Sequence, residues 1–165
     1  SDDADDPAFP GKILYPKTLK GVFAPGDFDP KNVLRSAEPP KYRLELEHCH
    51  GYDGFGSSAN NLLFNDKGEA VYYAAALGIV YNLETRRQRF FFGHDRDVKC
   101  IAMHPNKRWV ATGQTGVEPW VCVWDTATCG QLQRLAHPAG TRAIICVAFS
   151  RDAAGVHLAA CGADD

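Results

Sequence analysis

Three short constellations in this 165-residue chain have residue types that could do chemistry. His48, Cys49 and His50 offer the imidazole and thiol groups that ligate zinc. On a strand, neighbouring side chains point to opposite faces, so only His48 and His50 could share a site, and no metal is expected. The run Gly51-Tyr52-Asp53-Gly54-Phe55-Gly56-Ser57-Ser58 has the glycine content of a phosphate-cradling loop. Neither a Gly-Lys-Ser/Thr nor a helix pattern follows it, so it reads as a turn. His94, Asp95 and Asp97 could act as acid–base groups, but His94 is better explained by a structural network described below. No Ser or Cys stands in a nucleophile-elbow context. Cysteines 49, 100, 122, 129, 146 and 161 contain no Cys-x-x-Cys pair and mostly sit in apolar runs such as Val98-Lys99-Cys100-Ile101. They read as reduced, structural thiols, with disulfides or a metal as the alternative. The expectation is a protein with no enzymatic activity, no cofactor and no metal.

The elements that must position these residues follow from composition and punctuation. Hydrophobic residues make up 45% of the chain and aromatic ones 11%, enough for a packed core and against wholesale disorder. A net charge of −2 supplies no strongly basic face, so nucleic acid is not an expected partner. No apolar run approaches the ~18 residues of a spanning helix, so no membrane partner is expected either. The acidic start, Ser1-Asp2-Asp3-Ala4-Asp5-Asp6, does not read as a secretory signal. Seven of the ten prolines fall in the first 40 residues, together with apolar Ile13, Leu14, Tyr15, Val22, Phe23 and Phe28. That segment reads as an extended arm lying on its own domain or on a partner, a free linker being the alternative. It holds seven acids and five bases, against thirteen of each over 41–165. Arg86, Arg87 and Arg89 form the only tight basic cluster, either a solvated turn and strand edge or a binding patch.

From Tyr42 onward the chain becomes short apolar runs broken by turn residues, with no sustained 3.6-residue period. Strands are expected over 61–65, 70–77, 79–83 and 88–92, separated by Asp66-Lys67-Gly68, by Gly78 and by 84–87. Six more are expected over 98–104, 109–114, 120–125, 131–135, 143–150 and 157–162. The fold class is all-β. The groups are also self-similar. Residues 62–68 align with 101–107 and again with 147–153, at offsets of 39 and 46 residues, the repeat length of a propeller blade.

One repeat carries a sharper signature. Gly93-His94 is followed after 29 residues by Trp124-Asp125, the Gly-His…Trp-Asp pattern of a WD40 blade. Thr112 is placed to bridge His94 and Trp124, giving an expected structural network of His94, Thr112, Trp124 and Asp125. The Asp usual in the turn between the second and third strands is missing from 114–119, and that turn is longer than a tight hairpin. The first repeat is more divergent, with Tyr81-Asn82 in the place of Trp-Asp and no preceding Gly-His.

Upstream, Leu44-Glu45-Leu46-Glu47 leads to Gly51-Tyr52-Asp53-Gly54, then to Asn61-Leu62, Gly68-Glu69-Ala70-Val71-Tyr72-Tyr73 and Val80-Tyr81-Asn82. This succession resembles the hydrophobic motif of echinoderm microtubule-associated protein-like proteins. The continuation through Gln88-Arg89-Phe90-Phe91-Phe92-Gly93-His94 and 98–105 resembles the WD blade after that motif. The resemblance runs from about residue 38 to the C-terminus. It departs at Asp53, where the family's motif usually has Arg.

The resemblance implies the start of a tandem atypical propeller in a non-catalytic cytoskeletal protein that contacts tubulin or the microtubule lattice. Other cytoskeletal or axonemal proteins would be further partners, in the cytoplasm and more narrowly in a cilium or flagellum. A generic WD-repeat scaffold without tubulin preference is the alternative. Gly51, Tyr52, Asp53 and Gly54 are the implied motif residues, and Arg86, Arg87 and Arg89 the cluster that would face tubulin. The expected organisation is an arm over 1–40, the motif and an atypical first blade over 41–92, a WD40 blade over 93–136 and an incomplete blade over 137–165. About two and a half blades are too few to hide their edges in a ring. The remainder is expected from more of the same chain or from an assembly.

Overall fold

The computed structural model describes residues 26, 27, 29, 41–54, 60–136, 140–152 and 157–163. Of the expected arm only Gly26, Asp27 and Asp29 are among them, so that expectation lies outside the described residues. The chain divides into two units, Ser1–Glu45 and Leu46–Asp165, and the strands below all belong to the second. β1 (Leu63–Phe64), β2 (Ala70–Ala74), β3 (Leu77–Asn82) and β4 (Arg87–Phe91) form a four-stranded antiparallel sheet in chain order. β5 (Val98–Met103), β6 (Trp109–Gln114), β7 (Trp120–Asp125) and β8 (Gly130–Ala136) form a second with the same topology. β9 (Ala143–Phe149) and β10 (Leu158–Ala163) pair antiparallel beside it. The all-β expectation holds: among the described residues the chain is an unclosed run of propeller blades, two of four strands and two strands of a third.

The repeat in sequence is a repeat of turn chemistry. After the inner strand, Asn65 Oδ1 accepts the amides of Lys67 and Glu69 at 3.0 and 2.9 Å. The equivalent His104 accepts the amide of Asn106 on Nδ1 at 3.1 Å. After the third strand, Asn82 Oδ1 accepts the amides of Glu84 and Thr85, and Asp125 Oδ1 those of Ala127 and Thr128. Four residues beyond each cap, Arg86 and Cys129 take φ of 55° and 53°, the left-handed twist that returns the chain as β4 and β8. Asn82 is thus a working substitute for Asp125 in turn formation.

The core lies between sheets. Val71, Tyr73, Val80 and Phe91 of the first blade bury against Val98, Ile101, Val110, Cys122 and Trp124 of the second. Each fully buried large side chain contributes roughly 1.5–3 kcal/mol. Phe91 and Trp124 stack with centroids 4.9 Å apart and planes within 6°. Gly78 does not separate strands as expected. It lies inside β3, paired with Tyr73 and Phe91, because a Cβ there would stand 2.8 Å from the Trp124 ring. The next seam joins Ala111 and Val121 to Ile144 and Val147, with Gly113 leaving room for Ile144.

Candidate functional site

Loop 93–97 is tied to the second blade by a directional hydrogen-bond chain. Trp124 Nε1, which can only donate, gives its proton to Thr112 Oγ1 at 3.1 Å. Thr112 Oγ1 lies 2.7 Å from His94 Nε2, and His94 Nδ1 lies 2.8 Å from Gln114 Oε1. Gln114 Nε2 donates to Asp95 Oδ1 at 2.8 Å. An acidic acceptor at Asp95 fixes the amide orientation of Gln114, so its oxygen faces His94 and Nδ1 carries the proton. Burial, opposed by Gln114 and Asp95, holds the His94 pKa below its ordinary value and keeps the ring neutral. Nε2 then accepts from the Thr112 hydroxyl, so both ring nitrogens, the hydroxyl and the indole N–H are paired. Asp125 stands outside it. Side chains alternate across a strand, and the Asp125 carboxylate caps the β7–β8 turn and accepts from Arg108 Nε at 2.8 Å.

A second polar cluster joins the first blade to the second. Glu69 is 4% exposed, and Arg89 grips both its oxygens at 2.9 and 2.7 Å. Asn65 donates to Glu69 at 2.8 Å, and Arg89 donates across the seam to the Thr126 carbonyl at 3.0 Å. The Arg89 hydrogen bonds hold the Glu69 carboxyl down at about 2, against desolvation that pushes it up. This divides the expected basic cluster. Arg86 and Arg87 are exposed, whereas Arg89 is half-buried and spent on Glu69 and the seam.

The Gly51–Gly54 motif residues lie beside the first blade. Gln88 holds this segment by accepting from the Cys49 amide at 2.7 Å and donating to the Cys49 carbonyl at 3.0 Å. The Tyr52 hydroxyl donates to Asn61 Oδ1, and Asn61 Nδ2 donates to the Asp53 carbonyl. Tyr52 meets Tyr72 edge-on at 6.0 Å. Between segment and blade lies a cleft of about 490 Å³ whose walls include His48, His50, Tyr52, Tyr72, Tyr81 and Gln88. The His48 and His50 rings lie 4.5 Å apart. Among the described residues no three His, Cys, Asp or Glu side chains gather to hold a metal ion. All six cysteines are free thiols. Burial pushes Cys100 up to about 12 and Cys122 up to about 11.

The HELP motif model matches residues 39–79, and the WD domain, G-beta repeat model matches 85–125. Mouse echinoderm microtubule-associated protein-like 1 is 37% identical over 174 residues, covering 97% of this chain and 21% of that protein. Human echinoderm microtubule-associated protein-like 4 is 38% identical over 152 residues, covering 87% of this chain and 15% of that protein. The chain belongs to the echinoderm microtubule-associated protein-like family. It spans about a fifth of the length of the mouse relative. Among solved structures, the propeller domain of Myceliophteria thermophila Cps50 (Swd1) aligns at a TM-score of 0.45 and 17% identity, over 58% of this chain and 30% of that one.

In this family member the HELP match covers the pinned segment 48–54, β1, β2 and the start of β3. The WD match ends on Asp125, the cap of the β7–β8 turn. Four contributors escaped the sequence reading: Gln114, Glu69, Asn65 and Gln88. Gln114 holds the second ring nitrogen of His94 from the strand end where the longer, Asp-less turn begins. A buried acid at Glu69 could have been sought from Arg89, since an arginine inside an apolar strand needs a partner.

Proposed function

We propose that this chain is the propeller-forming part of a non-catalytic microtubule-associated protein, located on the cytoplasmic cytoskeleton. The supporting observation is the family membership, with alignment over 97% of the chain to a relative named for microtubule association. The non-catalytic reading is supported by the state of His94, whose two ring nitrogens are occupied by Thr112 and Gln114. Tubulin or its polymer is the principal partner, with other cytoskeletal proteins and the axoneme of a cilium or flagellum as the narrower setting. Arg86 and Arg87, exposed at the β3–β4 turn, are the cations of the original cluster left to face tubulin. Gly51, Tyr52, Asp53 and Gly54 shape the start of the propeller. His94, Thr112 and Trp124 hold the second blade together. The remaining blades come from the rest of the same chain and close the ring.

The test is the distribution of the fluorescently tagged full-length protein in cells. It is expected on filaments that coincide with tubulin, and diffuse after microtubules are depolymerised with nocodazole. A distribution that ignores nocodazole would overturn the proposal and favour the generic scaffold.

A further inference from the structure

We infer that Cys146 and Cys161 form a reversible disulfide across the β9–β10 ladder, closed by exchange with a small disulfide such as that of glutathione. Of the six free cysteines these two alone are exposed. They are direct cross-strand partners. Partnered residues of an antiparallel pair project from the same face of the sheet, so both thiols stand on one side. Ser150 N donates to the His157 carbonyl at 2.8 Å, and the register continues unbroken through Ala148 and Ala159 to Cys146 and Cys161. Steps of two residues preserve the class of pair, so Cys146 and Cys161 are a hydrogen-bonded pair, with Cα atoms about 5.5 Å apart. Disulfides close over Cα separations of roughly 4.4–6.8 Å. The register shifts between Cys161 and Gly162, at the pair itself, and such a bulge lets β10 turn there while the rest of the hairpin stays paired.

The repeat shows what is particular to this pair. At the 46-residue offset Cys146 stands where Cys100 stands in the second blade, and its partner Cys161 stands where Gly113 does. A Cβ built on Gly113 would lie 2.8 Å from Cys100 Sγ. In β9 and β10 two sulfur-bearing side chains therefore share the volume that holds one in β5 and β6. The Cys100 thiol is settled elsewhere, donating to the Ile144 carbonyl at 3.3 Å, and burial pushes it up to about 12. The Cys146 and Cys161 thiols reach the carbonyls of their own neighbours, Val147 and Gly162, at 4.0 and 3.7 Å, contacts too long to hold them.

The exchange balances without a further reactant. The thiolate of one cysteine attacks a sulfur of glutathione disulfide and releases one glutathione thiolate, leaving a mixed disulfide. The second cysteine, as thiolate, attacks the protein sulfur of that mixed disulfide and releases the other glutathione. Two protein thiols give up two protons and two electrons, and one glutathione disulfide becomes two glutathiones. Exposed bridges are the readily reduced ones, so the bond is transient in the reducing interior of a cell. This inference goes beyond the microtubule proposal and does not depend on it.

The experiment incubates the purified full-length protein with excess glutathione disulfide, blocks the remaining thiols with N-ethylmaleimide and maps disulfides by peptide mass spectrometry. A peptide linking Cys146 to Cys161 is expected, and it should disappear on addition of dithiothreitol. Cys161→Ser should instead retain glutathione on Cys146, and Cys146→Ser should retain it on Cys161, since no second thiol is there to displace it. Hydrogen exchange of β9 and β10 amides should slow about tenfold in the oxidised parent and in neither serine variant, because the bridge restricts opening of the hairpin. Three results would overturn the inference: both cysteines still alkylated after oxidation, a bridge from Cys146 to Cys100 or between two molecules, or glutathione retained equally by the parent and the serine variants.

Discussion

Replacing Glu69 with Gln tests whether the Glu69–Arg89 pair of the first blade, whose arginine also bonds across the seam to Thr126, is a stabilising joint. The Glu69 carboxyl sits at about 2 against an ordinary 4.5, a gap equivalent to about 3 kcal/mol at full strength. The Arg89 side chain is 40% exposed, so solvent screening reduces the expected contribution to about 1–2 kcal/mol. The sign follows from proton binding. The unfolded chain takes up this proton first as pH falls, so the stabilisation is complete above pH 4.5 and disappears between there and about 2. Hydrogen exchange of amides in 65–74 and 124–129, measured on the full-length protein and corrected for intrinsic rates, reads that joint locally. In the parent, opening should become easier as pH drops through this window; in Glu69→Gln the dependence should flatten. Arg89→Met should cost more, about 3 kcal/mol, because it strands a buried carboxylate, and adding Glu69→Gln to it should recover part of the loss. An unchanged pH dependence in Glu69→Gln, or an Arg89→Met variant as stable as the double variant, would refute the reasoning.

Thr112→Val removes the hydroxyl between His94 and Trp124 and leaves two buried polar groups unpaired, at a cost of about 2 kcal/mol. It should appear as faster exchange in β6 and β7, with Thr112→Ser losing less. Gly78→Ala drives a Cβ to 2.8 Å from the Trp124 ring, and Gly113→Ala to 2.6 Å from Ile144. Each should loosen its own seam by about 1–3 kcal/mol, visible as local exchange changes confined to the two sheets that meet there. Cys100 and Cys122, raised to about 12 and 11 by burial, should resist iodoacetamide at pH 8. Peptide mass spectrometry should find them unmodified under native conditions and fully modified in denaturant.

The strands were legible because alternation and turn residues are local signals. β6 and β7 fall where expected, at Trp109–Gln114 and Trp120–Asp125. The misreadings share one cause, a partner distant in sequence. Gly78 looks like a strand breaker until Trp124, 46 positions later, is seen against it. Arg89 looks like a surface cation until Glu69, 20 positions earlier, accepts from its Nη1 and Nη2. Asp125 shares a dipeptide with Trp124, yet its carboxylate faces Arg108 and the following turn while the indole faces Thr112. Gln114 reads as part of a turn lacking the usual Asp, and only the fold shows its amide on His94.

The central claim is association with microtubules. Its most direct measurement is co-sedimentation of the purified full-length protein with taxol-stabilised microtubules over a range of tubulin concentrations. The protein is expected in the pellet, saturating with polymer and weakening with salt as exposed cations such as Arg86 and Arg87 are screened. Recovery in the supernatant at every tubulin concentration would contradict the claim.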